Sequence, residues 1–126
     1  VYTNSQFPKR VTLGIDYKKL ELLLAVLQKH CKLPLDGCDV FLNVAGGLRL
    51  SDPATDLGIC LAIYSSYKNI SLPKTVGIAE VGLLGELRNV SSLEKRIKVA
   101  KSLGFKNIIS PESYDYLSQV LKKLGN

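Results

Sequence analysis

The residues of this chain best suited to chemistry fall into a few groups. His30, Cys31 and Cys38 could ligate a metal ion through imidazole nitrogen and thiolate. A structural zinc site takes four ligands, and no C-x-x-C occurs among Cys31, Cys38 and Cys60. His30 and Cys31 therefore read as a helix end and Cys38 as the approach to a strand, with no metal expected. Gly46-Gly47 and Gly82-x-x-Gly85 could cradle a phosphate, but no Gly-Lys-Ser/Thr follows either, so they read as turn glycines. No cofactor is expected to bind here.

The charge is more informative. Arg88, Lys95, Arg96, Lys98, Lys101 and Lys106 face only Glu94 in the same stretch, which holds most of the net charge of +6. At about 100° per residue, Lys95, Lys98 and Lys101 lie opposite Leu93, Ile97 and Ala100. Such a face is either simply solvated or a track for phosphates, attracting DNA without reading its sequence. Arg88 and Arg49 are further candidates for nucleic-acid contact. Arg96 borders the apolar arc and is the candidate for pairing with another element or another subunit. With no Trp in the chain, base stacking is disfavoured, and one stripe of this size implies weak, salt-sensitive binding.

Several elements must position these groups. Phe7–Asp16 reads as a strand and a turn. Leu20, Leu23, Leu24 and Leu27 recur at helical spacing, which predicts a helix from an Asp16 N-cap to about His30. Asp39–Ala45 is almost continuously apolar, as a strand buried on both faces would be. Asp52-Pro53 supplies an N-cap and a first helical residue for an apolar helix ending near Lys68. Val76–Val81 and Glu86–Val90 read as a hairpin through Gly82 and Gly85. Ser91-Ser92-Leu93-Glu94 has the pattern of a capping box, opening a helix with Leu93, Ile97, Ala100 and Leu103 on one face and Gly104 as its stop. Lys106–Ile109 is a short strand and Ser113–Leu124 a last helix. The expected architecture is one α/β (α+β) domain, residues 1–126, with four helices on mixed sheets.

Hydrophobic residues make up 46% of the 126 and charged ones 22%, ordinary values for a folded domain. No apolar run approaches the ~20 residues that cross a bilayer, and no signal peptide is apparent. A soluble, cytoplasmic protein with reduced thiols and no membrane partner is expected. The sequence contains no Met, which reads as a fragment of a longer protein.

DVFLNVAGG followed by DPATDLGICLA resembles the nucleophile region of Lon-type serine proteases. AEVGLLGELRNVSSLEKR resembles their second motif. The likeness is closer still to the C-terminal Lon-like domain of the bacterial DNA repair family RadA (Sms), over about Pro8–Ser113. This resemblance implies a Lon proteolytic-domain-like fold, akin to a domain of a small ribosomal subunit protein. It also places the catalytic serine at Ala54 when counted from Asp-Pro, or at Asp56 when counted back from Gly-Ile. The catalytic lysine falls at Glu94. A Ser–Lys dyad needs a hydroxyl and a lysine of lowered pKa, and neither position supplies one. No catalytic residue is therefore expected. Asp56 lacks a capping explanation and is expected to bond the helix start or a neighbouring subunit.

The resemblance implies a parent that is an ATP-driven motor acting on branched DNA. ATP, Mg and Zn would bind elsewhere in that parent, and its subunits would assemble as a homo-oligomeric, hexameric ring. The expected role of this piece is to hold subunits together and offer DNA a basic track. The competing readings are a Lon-type peptidase with a displaced nucleophile, drawing on Thr55, Ser51 or Lys95, and a purely structural module.

Overall fold

The computed structural model describes residues 10–43 and 51–125. The chain forms two compact units, Val1–Ser51 and Asp52–Asn126. Among the described residues there are four α-helices and three two-stranded sheets, a mixed α/β architecture.

The first unit is a strand–helix–strand. β1 (Arg10–Leu13) and β2 (Val40–Asn43) pair in parallel, with Arg10 opposite Val40. α1 (Tyr17–Cys31) joins them and buries Leu20, Leu23, Leu24, Val26 and Leu27. The leucine spacing dictates that face. Asp16 stands at the N-cap, but its side chain makes no capping bond; only its carbonyl is used, by the Leu20 amide (3.1 Å). Lys32 takes the left-handed conformation (φ 59°) that ends α1 and lets buried Leu33 bond back to Leu27. The Arg10 guanidinium then donates to the carbonyls of Leu35 and Cys38, fixing the turn that feeds β2. The expectation of a strand buried on both faces fails at Phe41, which is 60% exposed beside buried Val40. Burial alternates from Cys38 to Phe41, with Cys38 and Val40 buried and Asp39 and Phe41 less so, the period of two that one-sided burial gives. Residues 44 and 45 of that expected strand, and the Gly46-Gly47 turn, lie outside the described residues.

The second unit is built around α2 (Asp56–Lys68), entered through a single 3-10 turn at Pro53–Thr55. Leu57, Ile59, Cys60, Leu61, Ile63 and Tyr64 are all buried, so α2 is covered on most sides. Asn69 ends it in the left-handed conformation. β3 (Thr75–Gly77) pairs in parallel with β6 (Asn107–Ile109), and β4 (Glu80–Val81) pairs antiparallel with β5 (Leu87–Arg88). The stretch expected as one strand, Val76–Val81, is therefore divided between two sheets. It breaks because the Ile78 amide bonds Ile109 while Ala79 turns to the start of α2.

α3 (Leu93–Ser102) buries Leu93 and Ala100, and Gly104 closes it at φ 95°. Leu103 was expected on the same face but is 71% exposed, because the helix ends before it and its backbone serves the cap. α4 (Leu117–Leu124) starts later than Ser113. Asp115 gives its carbonyl to the Leu87 amide (2.8 Å), and the Asp115 and Tyr116 amides bond Gln119 Oε1 (both 3.0 Å), so the segment before Leu117 is committed to β5 and to the cap.

Gly77 is where α2 crosses β3 most closely. A Cβ there would sit 2.7 Å from Leu57 Cγ and 2.9 Å from Leu61 Cδ1, inside any real contact. Gly77→Ala is expected to destabilise the chain by about 1–3 kcal/mol through overpacking. Urea unfolding should show a lower midpoint at an unchanged slope.

Candidate functional site

The start of α2 is hydrogen-bonded both to residues 79–81 and to Arg96 of α3. Asp52 Oδ1 accepts from the Ala54 amide (3.0 Å), with Pro53 at the first helical position, so the predicted cap is present. Asp52 Oδ2 also meets Arg96 Nη1 at 2.7 Å. The Ala54 amide, and then the Arg96 guanidinium, hold the Asp52 carboxyl below the usual carboxylate range. The Thr55 hydroxyl donates to the Asp52 carbonyl (2.8 Å).

Ala54 and Asp56, the two registers of the resemblance, are both turned inward. Ala54 is buried in a cluster with Ile78, Leu93 and Ala100. Asp56 is 1% exposed, and its Oδ2 accepts from the Val81 amide (3.1 Å). Two backbone bonds flank it: Ala79 N–H to the Ala54 carbonyl (3.2 Å) and Leu57 N–H to the Ala79 carbonyl (3.1 Å). The first turn of a helix carries a partial positive charge, which favours a carboxylate at that place. Asp56 thus has an internal partner and is no surface group of this unit. Glu94 is exposed. The shared cluster of Ala54 and Leu93 brings the two motif segments together without assembling a hydroxyl–amine pair.

The expected capping box at Ser91 and Glu94 does not form. Ser92 is the N-cap, in the left-handed conformation (φ 56°), so Glu94 falls one position short of the reciprocal place. Ser91 accepts from Arg96 instead, through its carbonyl to Nε (2.8 Å) and its hydroxyl to Nη2 (3.4 Å). Arg96 therefore ties the entry of α3 to the entry of α2, the pairing with another element that its position beside the apolar arc suggested. Lys95, Lys98 and Lys101 are all exposed along α3. Arg88 is exposed too, but its guanidinium is engaged by Glu86 Oε2 at 3.0 Å. Arg49 lies outside the described residues.

Sequence reasoning missed the role of Glu86. Its Oε1 accepts from the Leu84 amide (3.0 Å) while the Gly82 amide bonds its carbonyl (2.9 Å), so one residue closes the β4–β5 turn. Nothing in the residue type announced it. Of the sulfur-bearing candidates, Cys38 is buried, and burial pushes the Cys31 thiol up to about 11, away from the thiolate that binds metals. Among the described residues, no three His, Cys, Asp or Glu side chains gather as a metal-holding group.

Asp56→Ala would strand the buried Val81 amide, and a loss of about 1–3 kcal/mol is expected in chemical unfolding. Asp52 gives a pH test. Its folded-state pKa is depressed, so it contributes stability above the unfolded value of 3.8, which is lost as pH falls through the folded pKa. The carboxylate is 46% exposed, so the effect is small. Asp52→Asn should flatten the acid limb of the stability curve below about pH 4 and leave neutral-pH slopes unchanged.

Residues 18–114 match the family described as subunit ChlI of Mg-chelatase. Among curated proteins, the chain is similar to the DNA repair protein RadA of Halalkalibacterium halodurans, 45% identical over 106 residues, covering 83% of this chain and 23% of the relative. RadA of Chlamydia pneumoniae is 49% identical over 106 residues, with the same shares, and RadA of Bacillus subtilis 47% over 105 residues, 82% of this chain and 23% of the relative. The chain thus spans less than a quarter of the length of these relatives. No helix among the described residues is long and apolar enough to cross a membrane. Through the match over residues 18–114, the chain belongs to the family described as subunit ChlI of Mg-chelatase, with DNA repair proteins named RadA among its relatives.

Proposed function

We propose that this chain is a non-proteolytic, Lon-like scaffold domain of a RadA-type DNA repair protein. In this reading the whole protein is a cytoplasmic, ATP-driven motor for recombination and branch migration, assembled as a hexameric ring. The domain helps hold the subunits together and offers DNA a basic track. ATP, Mg and Zn belong to other parts of that protein. The similarity to RadA proteins, at 42–49% identity, carries the reading. It is preferred to a chelatase role because that kinship is direct sequence identity.

The geometry supports two parts of the proposal, the absence of a nucleophile at the two registers and the basic track. A peptidase needs a free nucleophile, and the candidate registers hold a buried methyl group and a buried, hydrogen-bonded carboxylate. The neighbouring Thr55 hydroxyl is spent on the Asp52 carbonyl. Lys95, Lys98 and Lys101 stand exposed on one side of α3, spaced by one helical turn or less. The ammonium groups suit contact with phosphates as point charges.

Fluorescence anisotropy with duplex and forked DNA tests the track. If three lysines each release about one counterion, log affinity should fall against log salt with a slope of about −3. The Lys95/Lys98/Lys101→Glu variant should lose binding; equal affinity for both proteins would sink the track. Casein and fluorogenic peptides should not be turned over. Turnover that disappears in Thr55→Ala or Lys95→Ala would establish the peptidase reading instead.

A further inference from the structure

A groove of about 320 Å³ opens beside α2 within the second unit. Gly58, Leu61 and Ala62 form its helical wall, Leu72 and Val76 the wall along β3, and Phe105 closes the end leading into β6. Its hydroxyls are already committed: Ser65 donates to the Ile70 carbonyl and Thr75 to the Pro73 carbonyl. The groove therefore offers shape and apolar surface, and both of its hydroxyl protons are already donated within the chain.

Two lysines stand next to residues that line it: Lys74 beside Thr75 and Lys106 beside Phe105. Lys74 and Lys106 meet at the Phe105 end, where the Lys106 and Asn107 amides donate to the Lys74 carbonyl (2.9 and 3.0 Å). Both lysine side chains are exposed. An apolar slot with two exposed lysines at one end is complementary to an anionic chain that carries an apolar anchor. A nucleobase fits less well: only Phe105 could stack on it, and base-edge acceptors would find no uncommitted hydroxyl proton.

We propose that this groove docks an acidic peptide segment of a partner protein, with an aliphatic side chain seated between Ala62, Val76 and Phe105. The site is distinct from the lysine face of α3 that carries the proposed DNA track. Neither requires the other.

The test uses the full chain and a short fluorescein-labelled peptide in which two leucines are flanked by Asp and Glu. Binding should weaken with added salt, fall about tenfold when the leucines become serines, and fall about tenfold in Ala62→Glu. Ala62 is exposed, so the fold should survive, and circular dichroism checks it. Lys106→Glu must weaken the peptide as well, and it decides the matter if Ala62→Glu does not fold. Equal binding of the leucine and serine peptides, or unchanged binding in folded Ala62→Glu, overturns the proposal. So does an oligothymidine that binds wild type but not Ala62→Glu, which assigns the groove to nucleic acid. A dimer abolished by Ala62→Glu overturns it too, by assigning the groove to a second copy of this chain.

Discussion

The first turn of α2 has to do two things with one stretch of backbone. It must begin a buried helix, and it must satisfy the backbone groups of Ala79 and the Val81 amide, which pass beside it. Asp56 resolves this constraint. Its carboxylate reaches the Val81 amide from inside the core, while Ala54 and Leu57 exchange backbone bonds with Ala79. A hydroxyl at the same place would be shorter and could not span the gap as a two-oxygen acceptor does. Much of the second unit follows from that corner. β3 ends at Gly77, the Ile78 and Ala79 amides bond Ile109 and Ala54, and β4 begins at Glu80 to pair with β5.

Arg96 extends the same corner to α3. A lysine in its place could not bond two groups in different directions through a planar fork. Arg96 uses Nε and Nη2 on Ser91 and Nη1 on Asp52, so one guanidinium fixes the entries of two helices. That commitment separates it from its basic neighbours. Lys95, Lys98 and Lys101 lie on the outward arc and are exposed there. The basic run is therefore two populations: an arginine that holds the structure and lysines left to the solvent side.

Helix positions were largely legible from the sequence because periodicity and capping chemistry are local. The leucine spacing gives α1, Asp52-Pro53 gives the start of α2, and Gly104 gives the stop of α3. What was not legible depends on partners distant in sequence. Val76–Val81 looks uniform as a string, and only the pull of Ile109 and Ala54 on its backbone divides it. The Ser91/Glu94 pattern satisfies a local rule, yet Arg96 takes Ser91 and the helix begins one residue later. The Gln119 cap of α4 escaped because its N-cap is a tyrosine, a type with no capping preference. Asp56 was singled out as unexplained, and its partner lies 25 residues away, beyond any local pattern.

On the scaffold reading, the two departures from the dyad act differently on the fold. At the serine register, a reactive hydroxyl must stand free at a turn, which leaves backbone beside it to be satisfied by a substrate or by water. Asp56 closes that corner from within and spends the position on stability. At the lysine register, a catalytic amine must be desolvated to lower its pKa, which costs burial of a charge. Glu94 is exposed and carries no such cost. A domain relieved of both demands can keep its helix entries rigid through Asp52 and Arg96. It can then present charge on an outer helix face whose direction is set by that rigid corner.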